Sequence, residues 1–185
     1  MSLLKSIQDG EGKTVEFKVE LPNSNTLAKT IIAFSNTGGG KLIIGVNDQG
    51  EIIGLEPDVN IFELKDKVAS IIYETCYPTV LPDIYTTTID DQLLLIIEVY
   101  RGNLLPYYLK NKGKNEGVYI RVGATNRKAS HENILELERQ RMNISFDQEA
   151  NREVELDSLD ISSLEGGFVR AGKVLDQPVM KNLKL

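Results

Sequence analysis

The apolar positions in the first half of the chain follow two spacings, which predicts both strands and helices. In residues 15–20, apolar and charged side chains alternate, as in a strand with one buried and one charged face. Residues 27–34 and 61–72 place apolar side chains three and four positions apart, which is typical of amphipathic helices. A cap for the first helix is available in residues 23–25, and Asn60 can cap the second.

In the second half, strands are predicted before a final helix. Residues 84–89 and 93–100 flank the short polar segment 90–92, which predicts a hairpin, and the second strand is apolar enough to be central in a sheet. Residues 117–122 form a further predicted strand, and Ser130 can open the last helix. The predicted fold class is therefore α+β (mixed α/β), with a mixed sheet of about five to six strands and about three main helices.

The periodic pattern weakens after residue 141, which predicts a domain boundary. Residues 1–141 would form one domain, in keeping with a chain of 185 residues that is 41% hydrophobic. Residues 142–185 carry five basic and eight acidic side chains and a Gly166-Gly167 interruption. We expect this C-terminal extension to be a linker or the start of a second domain that the chain omits.

Residues 34–48 concentrate glycines, an apolar run and a terminal acid. Nucleotide-binding glycine loops run from strand to helix, whereas here a predicted helix precedes the glycines and a strand follows them. The segment also lacks a Walker sequence, so ATP is not expected in this domain. Two interpretations stay open. Gly38, Gly39 and Gly40 either end the helix and lead through residues 42–46 into a turn and a strand at 51–53, or contact a phosphate directly.

Cysteine usage and the hydropathy pattern exclude several kinds of site and of protein. A single cysteine, Cys76, excludes an intramolecular disulfide, and with one histidine, His131, no Cys/His zinc site can form within one chain. Cys76 ends an apolar helical pattern, which favours simple packing. No apolar run approaches the roughly 20 residues that span a bilayer, and the N-terminus lacks a signal-peptide pattern. We therefore expect a cytoplasmic protein with no membrane partner.

The net charge of −6 conceals a basic segment. Residues 101–128 contain seven basic side chains and one acid, Glu116, so this stretch is locally +6. Clustered basic charge favours a nucleic-acid partner, although residues 111–115 also have the composition of a solvated turn.

Strand-end residues 121–127 are the first candidate site. Arg121, Arg127 and the neighbouring Thr125 and Asn126 can donate hydrogen bonds to phosphate or sugar oxygens. Gly123 would let the chain turn after the strand. The alternative for Arg121 is an ion pair with Glu16 or another carboxylate across the sheet. Further phosphate-binding candidates share a basic side chain near the same motifs: Lys18, Lys41 and Lys128. Three tyrosines either pack the sheet or stack on bases: Tyr107, Tyr108 and Tyr119.

Three ordered motifs together resemble a known family. Residues 11–18 read EGKTVEFK, residues 34–54 read FSNTGGGKLIIGVNDQGEIIG, and residues 117–129 read GVYIRVGATNRKA. These resemble the Schlafen AlbA domain, also called the divergent AAA-type domain. The family is found mostly at the N-terminus of transcriptional regulators and RecG-related helicases. In animal Schlafens a similar core binds and cleaves RNA, and it carries a zinc site that this chain lacks.

The resemblance also implies site residues. Animal Schlafens use three acids as a ribonuclease site, and the matching positions here are Glu11, Glu16 and Asp48. Carboxylates of this kind can hold Mg²⁺ or Mn²⁺ against a phosphodiester. Five residues apart on a regular strand, Glu11 and Glu16 would point to opposite faces unless Gly12 supplies a bend. The alternative is structural, with Glu16 beside Lys18 on one face and Asp48 in a turn.

Three functions follow in order of preference. The first is a nucleic-acid-binding (DNA-binding) module of a transcriptional regulator, which grips backbone phosphates and needs no cofactor. The alternative is an endoribonuclease that uses Mg²⁺ or Mn²⁺ at Glu11, Glu16 and Asp48. A weaker alternative is an ATP-linked, helicase-related regulator. Animal Schlafens pair two such lobes, so a single copy here predicts a homodimer.

Overall fold

The computed structural model describes residues 3–143, which form five helices and eight strands. The helices are α1 (Leu3–Gln8), α2 (Ser24–Asn36), α3 (Ile61–Thr75), α4 (Gly113–Gly117) and α5 (His131–Met142). The strands are β1 (Val15–Lys18), β2 (Gly40–Ile44), β3 (Cys76–Tyr77), β4 (Asp83–Ile89), β5 (Gln92–Val99), β6 (Tyr108–Leu109), β7 (Tyr119–Val122) and β8 (Thr125–Lys128). The predicted C-terminal extension, apart from its first two residues, lies outside the described residues.

A four-stranded mixed sheet lies at the centre, with the order β1-β2-β5-β4. Strand β1 pairs with β2 in parallel, and β5 pairs antiparallel with both β2 and β4. Two smaller antiparallel ribbons, β3-β6 and β7-β8, complete the strands. The predicted α+β class with a mixed sheet is therefore confirmed.

Hydrophobic side chains fill both faces of this sheet. Leu27, Ile31 and Phe34 of α2 are fully buried, and they belong to the larger core cluster with the β2 residues Leu42 and Ile44. Helix α3 contributes to the same cluster. On the opposite face, α1 adds Ile7 to a second cluster that contains Phe17, Ile43 and Ile96. Alternation along β2 and β5 divides their residues between the two clusters, as expected for strands in the middle of a sheet.

Local capping residues begin the three long helices, as the sequence predicts. The Asn23 side chain accepts a hydrogen bond of 2.9 Å from the Thr26 amide at the start of α2. Asn60 accepts from the amides of Phe62 and Glu63 at the start of α3. Ser130 and Asn133 form a reciprocal capping box at α5.

The glycines after α2 close the helix and lead directly into β2. The amides of Thr37 and Gly39 both donate to the Phe34 carbonyl, at 3.1 and 2.9 Å. Gly39 has a φ of +74°, and a Cβ at Gly40 would lie 2.5 Å from the Phe34 ring. Gly39 and Gly40 thus serve the helix end, in agreement with the structural interpretation. Gly38 has open space around it, since a Cβ there would meet only the Thr14 methyl at 3.9 Å.

Several local features differ from the sequence prediction, among them the strands β3, β6 and β8, which were not predicted. The strand predicted at residues 51–53 is a single bridge between Val46 and Ile52, because Asn47 folds residues 47–51 into a turn by accepting from the amides of Gln49 and Glu51. Helices α1 and α4 are short and were not predicted. Glu16 was expected on a charged strand face, but it is 8% exposed.

Candidate functional site

The side chain of Arg121 is the centre of a buried polar cluster. Its strand, β7, places it opposite Asn126 of β8, and its side chain is fully buried. One terminal nitrogen, Nη1, donates to a carboxylate oxygen of Glu16 and, at 2.9 Å, to Asn126 Oδ1. The other, Nη2, donates to the carbonyls of Gly12 at 2.6 Å and Val15 at 3.2 Å. The β7-β8 hairpin is therefore held against β1 and the loop before it.

Helix α2 supplies the remaining wall of this cluster. The Arg121 guanidinium lies over the Phe34 ring, 5.0 Å from its centroid, and Asn126 Nδ2 donates to Thr30 Oγ1 at 2.8 Å. Of the two roles considered for Arg121, the structure gives it the ion pair with Glu16. The predicted phosphate contact is corrected on this point, because the guanidinium is enclosed and its terminal nitrogens already donate to protein oxygens. Asn126 likewise orients Arg121 and does not project from the hairpin.

Glu11 and Glu16 converge on Lys18 because the chain bends before β1. The Gly12 amide donates to the Val15 carbonyl at 3.0 Å, and Glu11 Oε1 accepts from the Phe17 amide at 2.7 Å. Lys18 Nζ then lies 3.1 Å from Glu16 Oε1 and 4.0 Å from Glu11 Oε1. The bend expected at Gly12 thus brings both carboxylates to one ammonium group.

Asp48 does not complete a metal site with these two acids. It lies exposed in the turn after β2. Across residues 3–143, no three acidic, histidine or cysteine side chains are placed to hold a metal ion. The oxygens of Glu16 already contact Arg121 and Lys18, so the donors present do not fit Mg²⁺ or Mn²⁺.

Lys41 is also engaged by an acid. Its Nζ lies 2.5 Å from Glu98 Oε2 on the adjacent β5 and 3.4 Å from the Tyr85 hydroxyl on β4. Burial opposes the charged form of Lys41, but the bonds to Glu98 and Tyr85 outweigh it and raise its pKa. The hydrogen bond from Lys41 correspondingly lowers the pKa of Glu98. The positive charge of Lys41 is therefore already balanced by Glu98 within the sheet.

This pair predicts a pH-dependent term in stability. Because the folded-state pKa of Glu98 is lowered from its usual 4.5, its contribution is present above that value and is lost as the pH falls through the lower value. We expect the stability difference between the wild type and Glu98→Gln to shrink as the pH drops from about 5 to about 3. Urea unfolding at each pH measures it, and a difference independent of pH would contradict the prediction. The effect is modest because both side chains are partly exposed.

Two adjoining depressions beside Gly38 form what we call the glycine-turn groove. One has a volume of about 330 Å³ and is lined by residues that include Lys13, Gly38, Arg101 and Ile120. The other, about 250 Å³, shares Gly38 and Arg101 and also includes Lys41. The groove is thus bordered by the loop before β1, the end of α2, the end of β5 and helix α5.

The outer face of the β7-β8 hairpin continues this groove. Arg127 pairs directly with Ile120, so both side chains lie on one face of the hairpin, and Ile120 lines the groove. Arg127 is exposed, and its Nε donates to Thr125 Oγ1 at 3.4 Å. Within residues 3–143, no carboxylate comes within 4.0 Å of a charged nitrogen of Lys13, Arg101 or Arg127. None of these three cations therefore has a carboxylate partner in this part of the chain, and Arg101 Nη2 donates to Gln140 Oε1 at 2.5 Å.

The structure divides the other predicted phosphate-binding residues into two groups. Arg127 and Thr125 lie exposed at the hairpin, whereas Lys18, Lys41 and Lys128 each contact a carboxylate: Glu16, Glu98 and Glu116 respectively. Lys13 and Arg101 were not selected as site residues from the sequence. Their signal is present in it, because Lys13 lies in the first motif and Arg101 opens the basic segment.

Other groups considered from the sequence are structural. Cys76 is fully buried, and burial raises the pKa of its thiol to about 11, as expected for a packing residue. Tyr107 and Tyr119 are also buried in the larger core cluster.

Along the described residues, no helix combines the length and apolar character needed to cross a membrane.

Asn36, at the end of α2, ties the glycine turn to later parts of the chain. Its Nδ2 donates to the carbonyls of Tyr107 at 2.8 Å and Tyr119 at 2.9 Å. Its Oδ1 accepts from the Tyr107 amide at 2.7 Å. One buried amide group therefore fixes β7 and the segment before β6 relative to the helix end.

Comparisons with known proteins found a family model and similar solved structures. Residues 11–130 match the family model described as Schlafen, AlbA_2. The DIP2311 protein from Corynebacterium diphtheriae has a similar structure, with a TM-score of 0.52 and 23% identity, over 91% of this chain and 37% of that one. The N-terminal domain of a RecG-related protein from Nitrosomonas europaea matches at a TM-score of 0.46 and 22% identity, over 69% of this chain and 91% of that domain. No curated protein matches. The chain spans little more than a third of the DIP2311 protein.

Proposed function

Because the chain belongs to the Schlafen AlbA_2 family, we propose that it is a nucleic-acid-binding domain that grips backbone phosphates. The glycine-turn groove and the outer face of the β7-β8 hairpin form the binding surface, with Lys13, Arg101 and Arg127 as its cations. Arg121 acts from beneath this surface by holding the hairpin in place.

The observation that carries the proposal is a set of three exposed cations, two of which, Lys13 and Arg101, line the groove with the open glycine Gly38. Lys13, Arg101 and Arg127 have no carboxylate partner among the described residues, although the chain has a net charge of −6. Gly38 leaves the floor of the groove without a side chain, which allows a phosphate to approach closely. Guanidinium groups suit phosphate oxygens because they donate two parallel hydrogen bonds.

The role in the whole protein is part of the same proposal. A DNA-binding module in a transcriptional regulator is the preferred role, since contacts to phosphate position a protein without reading bases. Sequence specificity would then come from another part of the regulator. A homodimer is also part of the proposal, because a second copy would extend the groove. Light scattering of the protein with and without DNA measures the oligomeric state.

The salt dependence of binding tests the groove. Each phosphate contact releases counterions, so Arg101→Ala and Arg127→Ala are each expected to reduce the slope of log K against log salt by about one for duplex DNA. Each substitution should weaken binding to the same extent whatever the DNA sequence. Fluorescence anisotropy with a labelled duplex from low to high salt gives the slope. Lys67→Ala removes an exposed lysine of α3 outside the groove and serves as the matched control. Unchanged slopes in both arginine variants would refute the proposed surface.

The ribonuclease alternative is examined in the same experiment by adding Mn²⁺ and labelled structured RNA. We expect binding without cleavage, because Glu11, Glu16 and Asp48 are not gathered as a metal site in the described residues. Asp48→Asn is the informative control because Asp48 is exposed and its replacement leaves the buried cluster intact. Cleavage that disappears in Asp48→Asn would replace the binding proposal with the nuclease.

A further inference from the structure

The β3-β6 ribbon presents an aromatic surface outside the glycine-turn groove, where Tyr77 is exposed and Tyr108 packs in part against the larger core cluster. Tyr77 of β3 lies directly opposite Tyr108 of β6, with ring centroids 5.3 Å apart and a tilt of 48° between the planes. Beside them, at the end of α3, the ring of Tyr73 carries Lys110 Nζ over its face at 5.3 Å. We call Tyr73, Tyr77, Tyr108 and Lys110 the tyrosine platform.

The alternation of the ribbon explains why these rings face outward. Cys76 and Leu109, also paired across the ribbon, are 0% and 2% exposed and belong to the core. Their neighbours Tyr77 and Tyr108 therefore point to the other face. Tyr73 is 63% exposed and Tyr77 50%, which leaves much aromatic area in water. Burial therefore does not account for Tyr73 and Tyr77, whereas Tyr108 packs in part against the larger core cluster.

Basic groups accompany the rings. Lys110 Nζ donates to the Tyr73 carbonyl at 2.6 Å, which fixes the ammonium group beside the rings and leaves two of its three hydrogens for another acceptor. Lys112 follows two residues later and is exposed. Aromatic faces beside fixed positive charge match the two parts of a single-stranded nucleic acid, its bases and its phosphates.

We propose that the tyrosine platform stacks the unpaired bases of a single-stranded nucleic acid, with Lys110 and Lys112 against its phosphates. This inference rests on the proposed nucleic-acid-binding function and extends it from phosphate contact to a preference for unpaired strands. Stacking is tolerant of sequence because every base has an aromatic face. The platform therefore selects strand state and not base identity.

The test compares a labelled oligothymidine strand with a duplex of equal length. Tyr73→Ala and Tyr77→Ala are each expected to weaken single-strand binding about tenfold, in keeping with the loss of one stacked base, and to leave duplex binding within about twofold. Tyr77→Phe keeps the ring and should bind the single strand within about twofold of the wild type. Phe62→Ala is the matched control, because Phe62 is 83% exposed near the opposite end of α3. Circular dichroism checks that each variant is folded.

The outcomes separate this inference from the function on which it rests. Single-strand binding unchanged in both tyrosine-to-alanine variants, while Arg127→Ala still lowers the salt slope, overturns the platform and leaves the phosphate-binding groove. Equal weakening of duplex and single strand also overturns it, since a ring that stacks on unpaired bases gains nothing from a duplex. Failure of the wild type to bind either strand at any salt concentration removes the groove and the platform together.

Discussion

Replacing Arg121 with alanine is expected to destabilise the domain by about 3–5 kcal/mol and to lower its melting temperature by about 10–15 °C. The substitution removes a fully buried cation and leaves the 8% exposed Glu16 without its main partner. The carbonyls of Gly12 and Val15 lose their donors as well. Removal of one member of a buried ion pair is costly because the remaining charge stays desolvated.

Urea unfolding and thermal melts followed by circular dichroism measure this effect. Arg121→Lys keeps the charge but loses the fork of donors, so its stability should fall between those of the wild type and Arg121→Ala. Lys114→Ala breaks an exposed ion pair with Glu138 and is expected to change little. If Arg121→Ala melts within about 2 °C of the wild type, the buried cluster does not stabilise the fold as we describe.

Gly39→Ala is expected to destabilise the domain by about 2–4 kcal/mol, the second large effect. Gly39 has a φ of +74°, where a side chain is strained. An added Cβ would also lie 2.6 Å from the Val99 carbonyl oxygen and 3.1 Å from the Arg101 amide nitrogen. Both neighbours are backbone atoms in or next to β5, so the end of α2 must move away from the sheet to make room.

Gly38→Ala makes the same chemical change one residue earlier and is the control. Its Cβ would meet only the Thr14 methyl at 3.9 Å, so stability should remain close to that of the wild type. Denaturation of both variants under one set of conditions gives the comparison. If both variants lose the same free energy of unfolding, the close packing of Gly39 on β5 is not what makes the turn sensitive to a side chain.

Features set by neighbouring residues were predictable from the sequence. Asn60 and Ser130 cap their helices through side-chain bonds to amides only two or three positions away. Asp90 and Asp91 both have positive φ, at 49° and 59°, which suits the two-residue turn joining β4 and β5. Each of these signals is complete within a few residues, so no knowledge of the tertiary fold is needed to interpret it.

Features set by distant residues could not be resolved in the same way. The segment 101–128 is locally +6 in the sequence, but Lys114, Arg121 and Lys128 are each matched with a carboxylate on another element, and two of these carboxylates lie outside the segment. Lys41 is matched by Glu98 across two strands. A charge tally along the chain cannot detect such pairs, and therefore it overestimates the surface open to an anion. Helix α1 was missed for a related reason, because Ile7 is buried by strands that come later in the chain.

The three hydrogen bonds of Asn36 have a consequence for the order in which the protein forms during translation. Its partners Tyr107 and Tyr119 lie 71 and 83 positions further along the chain. During synthesis, the end of α2 therefore emerges before the residues that form hydrogen bonds with Asn36. A long loop of the chain must close before these bonds can form. Any shortened version that stops before residue 119 leaves Asn36 Nδ2 without the Tyr119 carbonyl, one of its two acceptors, so the turn after α2 is completed only after most of the domain has been synthesised.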